Sequence, residues 1–138
     1  MDIFKLKLKI IGQIIFVIIF FSTIEAKNLD EFNKADRVSD YFSGIILLND
    51  NQYSEAFDFL KKLNGLEANH INFSTKYLYT LTNSGKLNEA FNYSRKLEKQ
   101  KLDSFESNLI SGVFYLKNSN LELAKKYFLK AKNKNSRF

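Results

Sequence analysis

From position 38 onward, apolar residues recur at spacings of three and four, interrupted by short polar runs. Such spacing gathers side chains on one face of an α-helix, because a turn takes about 3.6 residues. Val38, Tyr41, Phe42, Ile45, Ile46 and Leu48 predict a first helix, stopped by the turn signal Asn49-Asp50-Asn51. Tyr53, Ala56, Phe57, Leu60 and Leu63 predict a second, closed by Asn64-Gly65, where glycine adopts positive φ without a Cβ clash. The plan then repeats. Phe73, Tyr77, Leu78 and Leu81 precede the turn Asn83-Ser84-Gly85, and Leu87, Ala90, Phe91 and Leu97 follow it. Asp103 with Glu106 resembles a capping box for the next helix. Leu109, Gly112, Val113 and Leu116 form that helix's apolar stripe, Asn118-Ser119-Asn120 turns the chain, and Leu121, Ala124, Tyr127, Phe128 and Ala131 complete the last helix. The pattern predicts an all-α chain of six short helices in three hairpins.

The hairpins share a fixed period. Tyr53-Ser-Glu-Ala56-Phe returns as Leu87-Asn-Glu-Ala90-Phe and as Leu121-Glu-Leu-Ala124-Lys, with 34 residues between successive alanines. A helical period of that length marks an array of helix pairs. The boundaries fall at residues 37–70, 71–104 and 105–138, after a polar lead-in over 27–36.

This pattern resembles the tetratricopeptide repeat family, whose first helix carries a small residue and then an aromatic, and whose second carries Ala-x-x-x-Phe. Gly112, Tyr115, Ala124, Phe128 and Ala131 match best; Gly44, Leu47, Ala56, Leu60 and Leu63 are the equivalents in the first repeat. The second repeat departs, with Leu78 for the small residue and Ser94 for the aromatic. Asp40, Ser74 and Asn108 stand where the family consensus opens on tryptophan, and no proline closes a repeat. The resemblance implies three tandem hairpins in a short right-handed α-solenoid. It also implies a concave face, lined by first helices, that binds a peptide or helix of another protein. By that resemblance the groove residues are Tyr41, Ile45, Asn49, Lys76, Tyr79, Asn83, Val113 and Lys117. The Lys/Asn set with which some family members clamp a terminal carboxylate is not reproduced, because Ile45 and Val113 replace its polar members. The physical role of Gly44 and Ala56 is to let paired helices approach to roughly 8–10 Å.

Residues 1–26 read as a targeting segment. Lys5, Lys7 and Lys9 precede a largely apolar run over residues 10–24, whose uninterrupted core, Ile14 to Phe21, is too short for the ~20 residues of a bilayer span. A secretory signal peptide cut after Ala26 fits best, although Ile24 departs from the small-x-small site. The alternative is an uncleaved signal anchor. Either sends the chain out of the cytoplasm, to a periplasmic or other extracytoplasmic place.

Composition narrows the chemistry further. With no cysteine, the chain has no disulfide, thiolate metal site or acylated cysteine anchor. The net charge of +6 keeps a protein soluble and favours anionic partners, and loss of the leader changes it by one charge. His70 is the single histidine, set at a repeat boundary and joined by no second ligand or acidic cluster. There is no phosphate loop, catalytic triad or metal spacing, so neither an enzyme nor a cofactor or metal site is expected. Asn72-Phe-Ser and Asn92-Tyr-Ser match the glycosylation pattern in an asparagine-rich chain. The reading is an exported scaffold or adaptor binding another envelope protein, either whole or as the first part of a longer array. Its rival is a membrane-surface module, held by the leader and by Lys61, Lys62, Lys96, Lys99, Lys125, Lys126 and Lys130 against anionic lipid or cell-wall polymer. Nucleic acid is not an expected partner, because no aromatic stacking platform accompanies these lysines.

Overall fold

The computed structural model describes residue 34, residues 36–70 and residues 72–135. The targeting segment and most of the lead-in lie outside the described residues. Contacts divide the chain into Met1–Ser39 and Asp40–Phe138, and the hairpins belong to the second unit. Its elements are α1 (helical over the described residues 36–49, of which 40–49 belong to this unit), α2 (Tyr53–Leu60), α3 (Phe73–Asn83), α4 (Leu87–Lys99), α5 (Phe105–Lys117) and α6 (Leu121–Asn135). Two 3-10 turns, Lys61–Leu63 and Leu66–Ala68, lie between α2 and α3. The described residues contain no strand.

Each hairpin turn is built alike. The amides of Gln52, Lys86 and Asn120 donate to the carbonyls of Leu47, Leu81 and Tyr115 at 2.8–2.9 Å, tying off the preceding helix. That motif needs one left-handed residue, supplied by Asn51 (φ 60°), Gly85 (φ 72°) and Ser119 (φ 58°), each 34 residues from the last. A serine is the poorest of the three at a left-handed position. Ser119→Gly is therefore expected to stabilise the protein by about 0.5–1 kcal/mol, which thermal unfolding would register as a rise of a few degrees.

The hairpins also repeat their internal register. A Cβ on Gly44 would stand 2.6 Å from Leu60 Cδ2, and one on Gly112 would stand 2.5 Å from the Phe128 ring. Both contacts join residues sixteen apart, so a large side chain on the second helix fills the space over a glycine on the first. In the middle hairpin the same positions are Leu78 and Ser94, both buried. The order of sizes is reversed there. What reads in the sequence as a weak match is a small-for-large exchange across one contact.

Aromatic rings pack both between neighbouring hairpins and within them. Phe57 stacks on Tyr77 with centroids 6.2 Å apart, and Tyr77 meets Phe73 at 5.7 Å and the edge of Tyr93 at 4.9 Å. One repeat later Phe91 stacks on Phe114 at 3.8 Å, and Tyr115 on Tyr127 at 5.5 Å. Such pairs contribute about 0.5–1.5 kcal/mol each beyond the area they bury. Around them a core of Leu60, Leu63, Phe73, Leu78, Leu81, Ala90 and Leu97 is closed to solvent.

Three local expectations need correction. The N-cap of α5 is Ser104, not Asp103, and it makes a reciprocal capping box with Ser107 instead of Glu106. Asp103 instead accepts from the Asn108 amide at 3.0 Å and pairs with Lys134 at 3.3 Å. Second, α5 turns a small and polar face inward, comprising Ser107, Asn108, Ser111 and Gly112 with Ile110. Leu109, Val113 and Leu116, expected as its apolar stripe, are exposed. The close approach to α6 at Gly112 explains the choice, since bulky residues there would hold the helices apart. Third, Leu121, Tyr127, Phe128 and Leu129 read in the sequence as a last helix whose stacking surface lacks a polar outer face, but Tyr127 is buried and Phe128 packs over Gly112, leaving Leu121 and Leu129 exposed.

Candidate functional site

The first helices α1, α3 and α5 share a face on which two clefts adjoin. One, of about 310 Å³, lies between α3 and α5; its walls include Thr75, Tyr79, Leu109 and Val113, with Leu87 at the start of α4 and Glu106 at the start of α5. Apart from the carboxylate and the hydroxyls its surface is apolar. The second, of about 370 Å³, lies between the end of α1 and α3, lined by Leu48, Asn49, Asn51, Thr75, Lys76 and Tyr79. Thr75 and Tyr79 form walls of both, so an apolar and a polar cleft adjoin across this pair, together called the groove below.

The repeat explains which side chains meet there. Thr75 and Tyr79 are one turn apart on α3, and Leu109 and Val113 are their counterparts 34 residues on. Four residues along a helix share a face, so the two pairs confront each other across the cleft. Tyr79, Leu109 and Val113 remain 50%, 39% and 42% exposed, an apolar surface that no described residue covers. Tyr53 steadies Tyr79 edge-on at 6.0 Å, and its hydroxyl donates to Asn51 Oδ1 at 2.6 Å.

Of the eight groove residues named from the sequence, four line these clefts: Asn49, Lys76, Tyr79 and Val113. The other four sit elsewhere. Tyr41 packs against the core cluster and tilts onto His70 at 4.9 Å. Ile45 is half-buried. Asn83 donates to the Tyr79 carbonyl at 2.8 Å, closing its own helix, and Lys117 is exposed at the end of α5. Thr75 and Leu109 were missed, though adding the repeat length to Tyr41 reaches both in turn. His70 keeps its buried Nδ1 without a hydrogen-bond partner among the described residues.

The basic residues of the second helices are placed differently from a free cationic face. Lys62, Lys96 and Lys130 lie over the rings of Phe59, Tyr93 and Tyr127 at 4.9, 5.8 and 5.0 Å, one rung per repeat. Each also reaches the preceding elements: Lys62 to Asp40 at 3.0 Å, Lys96 to Asn64 at 2.6 Å and to Glu67, and Lys130 to Glu98. Lys61 pairs with Asp58. Lys99, Lys125 and Lys126 remain exposed.

Two of these rungs are electrostatically tuned. Burial alone would raise the Glu67 carboxyl, but the Lys96 ammonium and the amides of Glu67 and Gly65 outweigh it and hold it below the ordinary value. Burial is likewise outweighed at Glu98, by Lys130, the Tyr127 hydroxyl and Arg95. Burial, then the hydrogen bond to Glu98, pushes the Tyr127 hydroxyl up to about 12, so it stays a donor at neutral pH. These groups tie hairpins together and lie apart from the groove residues.

Comparison with protein-family models, curated proteins and solved structures gives no match to this chain.

Proposed function

We propose that the protein is an exported tetratricopeptide-type scaffold whose groove on the first helices holds a peptide or helix of an envelope partner. The observation that carries the reading is the uncovered apolar cleft bounded by Tyr79, Leu109 and Val113, adjoining a polar one across Thr75 and Tyr79. A volume of about 310 Å³ lies at the low end of the ~300–1,000 Å³ usual for ligand cavities, which suits one or two side chains of a polypeptide. Turns and lysine rungs that recur at one repeat length, and glycine contacts that recur at two, support the family reading. Export rests on the leader composition alone. The rival membrane-surface reading loses ground, because Lys61, Lys62, Lys96 and Lys130 are engaged in ion pairs.

A photo-reactive aromatic side chain in place of Tyr79 tests the reading in source cells. The expected result is an adduct to one defined polypeptide, absent when the same probe replaces Leu129 on α6. Adducts to lipid alone, or none, would overturn it. Tyr79→Ser is expected to abolish partner binding while costing the fold about 2–3 kcal/mol, since half of Tyr79 is buried and its edge-on contact with Tyr53 is lost.

A further inference from the structure

The groove carries a charge order that the repeat pattern does not require. Lys76 lines its polar compartment, and Glu106 lines the apolar one. Neither forms an ion pair among the described residues, whereas most of the better-buried charges of the second helices do. The counterparts of Lys76 one repeat away are Phe42 and Ile110, both apolar. Lys76 also sits near the amino-terminal end of α3, where the helix dipole disfavours a cation. Nothing within the described fold rewards a lysine at this place.

Resting on the groove reading, we infer that the occupant is a polypeptide segment of defined charge order, with a large apolar side chain between an acidic and a basic one. The apolar side chain enters the cleft among Tyr79, Leu109 and Val113. The acidic side chain meets the Lys76 ammonium, with the Asn49 carboxamide beside it as a further donor. The basic side chain meets the Glu106 carboxylate at the far wall. Complementary charges at the two ends set the register of the segment, while the apolar contact supplies most of the affinity. A phospholipid carries its phosphate and any amine together at one end of its acyl chains, so it places no apolar group between opposite charges, and nucleic acid offers no side chain for the apolar cleft.

The test selects binders to the full chain from a displayed library of random peptides. Enriched sequences are expected to carry a large apolar residue flanked by opposite charges. Lys76→Glu should weaken such a peptide about tenfold, an effect that shrinks in high salt, and changing the peptide's acid to lysine should restore binding. Glu106→Lys should do the converse at the basic residue. Enriched peptides that need Tyr79 but are indifferent to Lys76→Glu and Glu106→Lys would overturn the charge order and leave the groove reading intact. Failure to enrich any peptide, or binding indifferent to Tyr79→Ser, would overturn both.

Discussion

Replacing Lys96 with methionine is expected to destabilise the protein by about 2–4 kcal/mol, toward the lower end of what breaking a buried ion pair costs because the lysine is itself partly solvated. Lys96 pairs with Glu67, whose side chain is 1% exposed. Methionine fills the aliphatic space of the lysine but leaves a carboxylate with the Gly65 amide at 2.7 Å as its main remaining donor. An unpaired buried carboxylate takes up a proton more readily, so the sign of the pH dependence follows. In the parent, the Glu67, Glu98 and Asp103 carboxyls are held low, so their contribution is complete above the ordinary carboxylate range and is lost as pH falls through the lowered folded values. In Lys96→Met the Glu67 carboxyl rises instead, and the deficit relative to the parent shrinks as acid protonates it. Urea unfolding at about pH 7 and about pH 5 would measure this. Adding Glu67→Gln should recover much of the loss at neutral pH, since glutamine can still accept from Gly65 and carries no charge. A double variant no more stable than Lys96→Met would show that the buried charge is not the cause.

Gly44→Leu should be damaging for a different reason, at about 1–3 kcal/mol or more, even after the roughly 1 kcal/mol that a helix regains on losing glycine. Its Cβ alone would lie 2.6 and 2.7 Å from Leu60 Cδ2 and Cγ, and Leu60 is fully buried with no room to swing away. The middle hairpin shows how the clash can be relieved. Gly44→Leu combined with Leu60→Ser copies the arrangement of Leu78 and Ser94, and should melt closer to the parent than either single variant does. The new hydroxyl has a carbonyl to use: Ser94 Oγ donates to the Ala90 carbonyl at 2.8 Å, and Ala56 occupies the same position one repeat earlier. Gly112→Leu should be milder, because Phe128 is only partly buried and its ring can tilt outward. Equal losses at the two glycines, or no recovery in the double variant, would refute a size exchange.

Most of the helical architecture was legible before any coordinates. Spacings of three and four gave the helices, and Asn51, Gly85 and Ser119 occupy the expected turns. Part of the candidate site was legible too, since Tyr79 and Val113 recur one repeat apart on first helices and both line the apolar cleft. The missing partners, Thr75 and Leu109, were hidden because their counterpart Tyr41 is spent on the core, against His70. Periodicity groups equivalent positions without saying which of them a neighbour will cover.

The sequence by itself determined where helices begin and turn and how long the repeat is, because these depend on contacts within a few residues and on side-chain size. It did not determine which face of α5 lies inside. There Ser107, Ser111 and Gly112 are buried while Leu109, Val113 and Leu116 face outward. Tertiary structure made that choice, because close approach between α5 and α6 favours small residues over apolar ones. It likewise decided that Lys96 and Lys130 are cross-hairpin ties and that Lys62 ties the two helices of its own hairpin, because a lysine's role depends on the carboxylate or carboxamide within reach, 22 residues away in the chain for Lys62 and some thirty for the others.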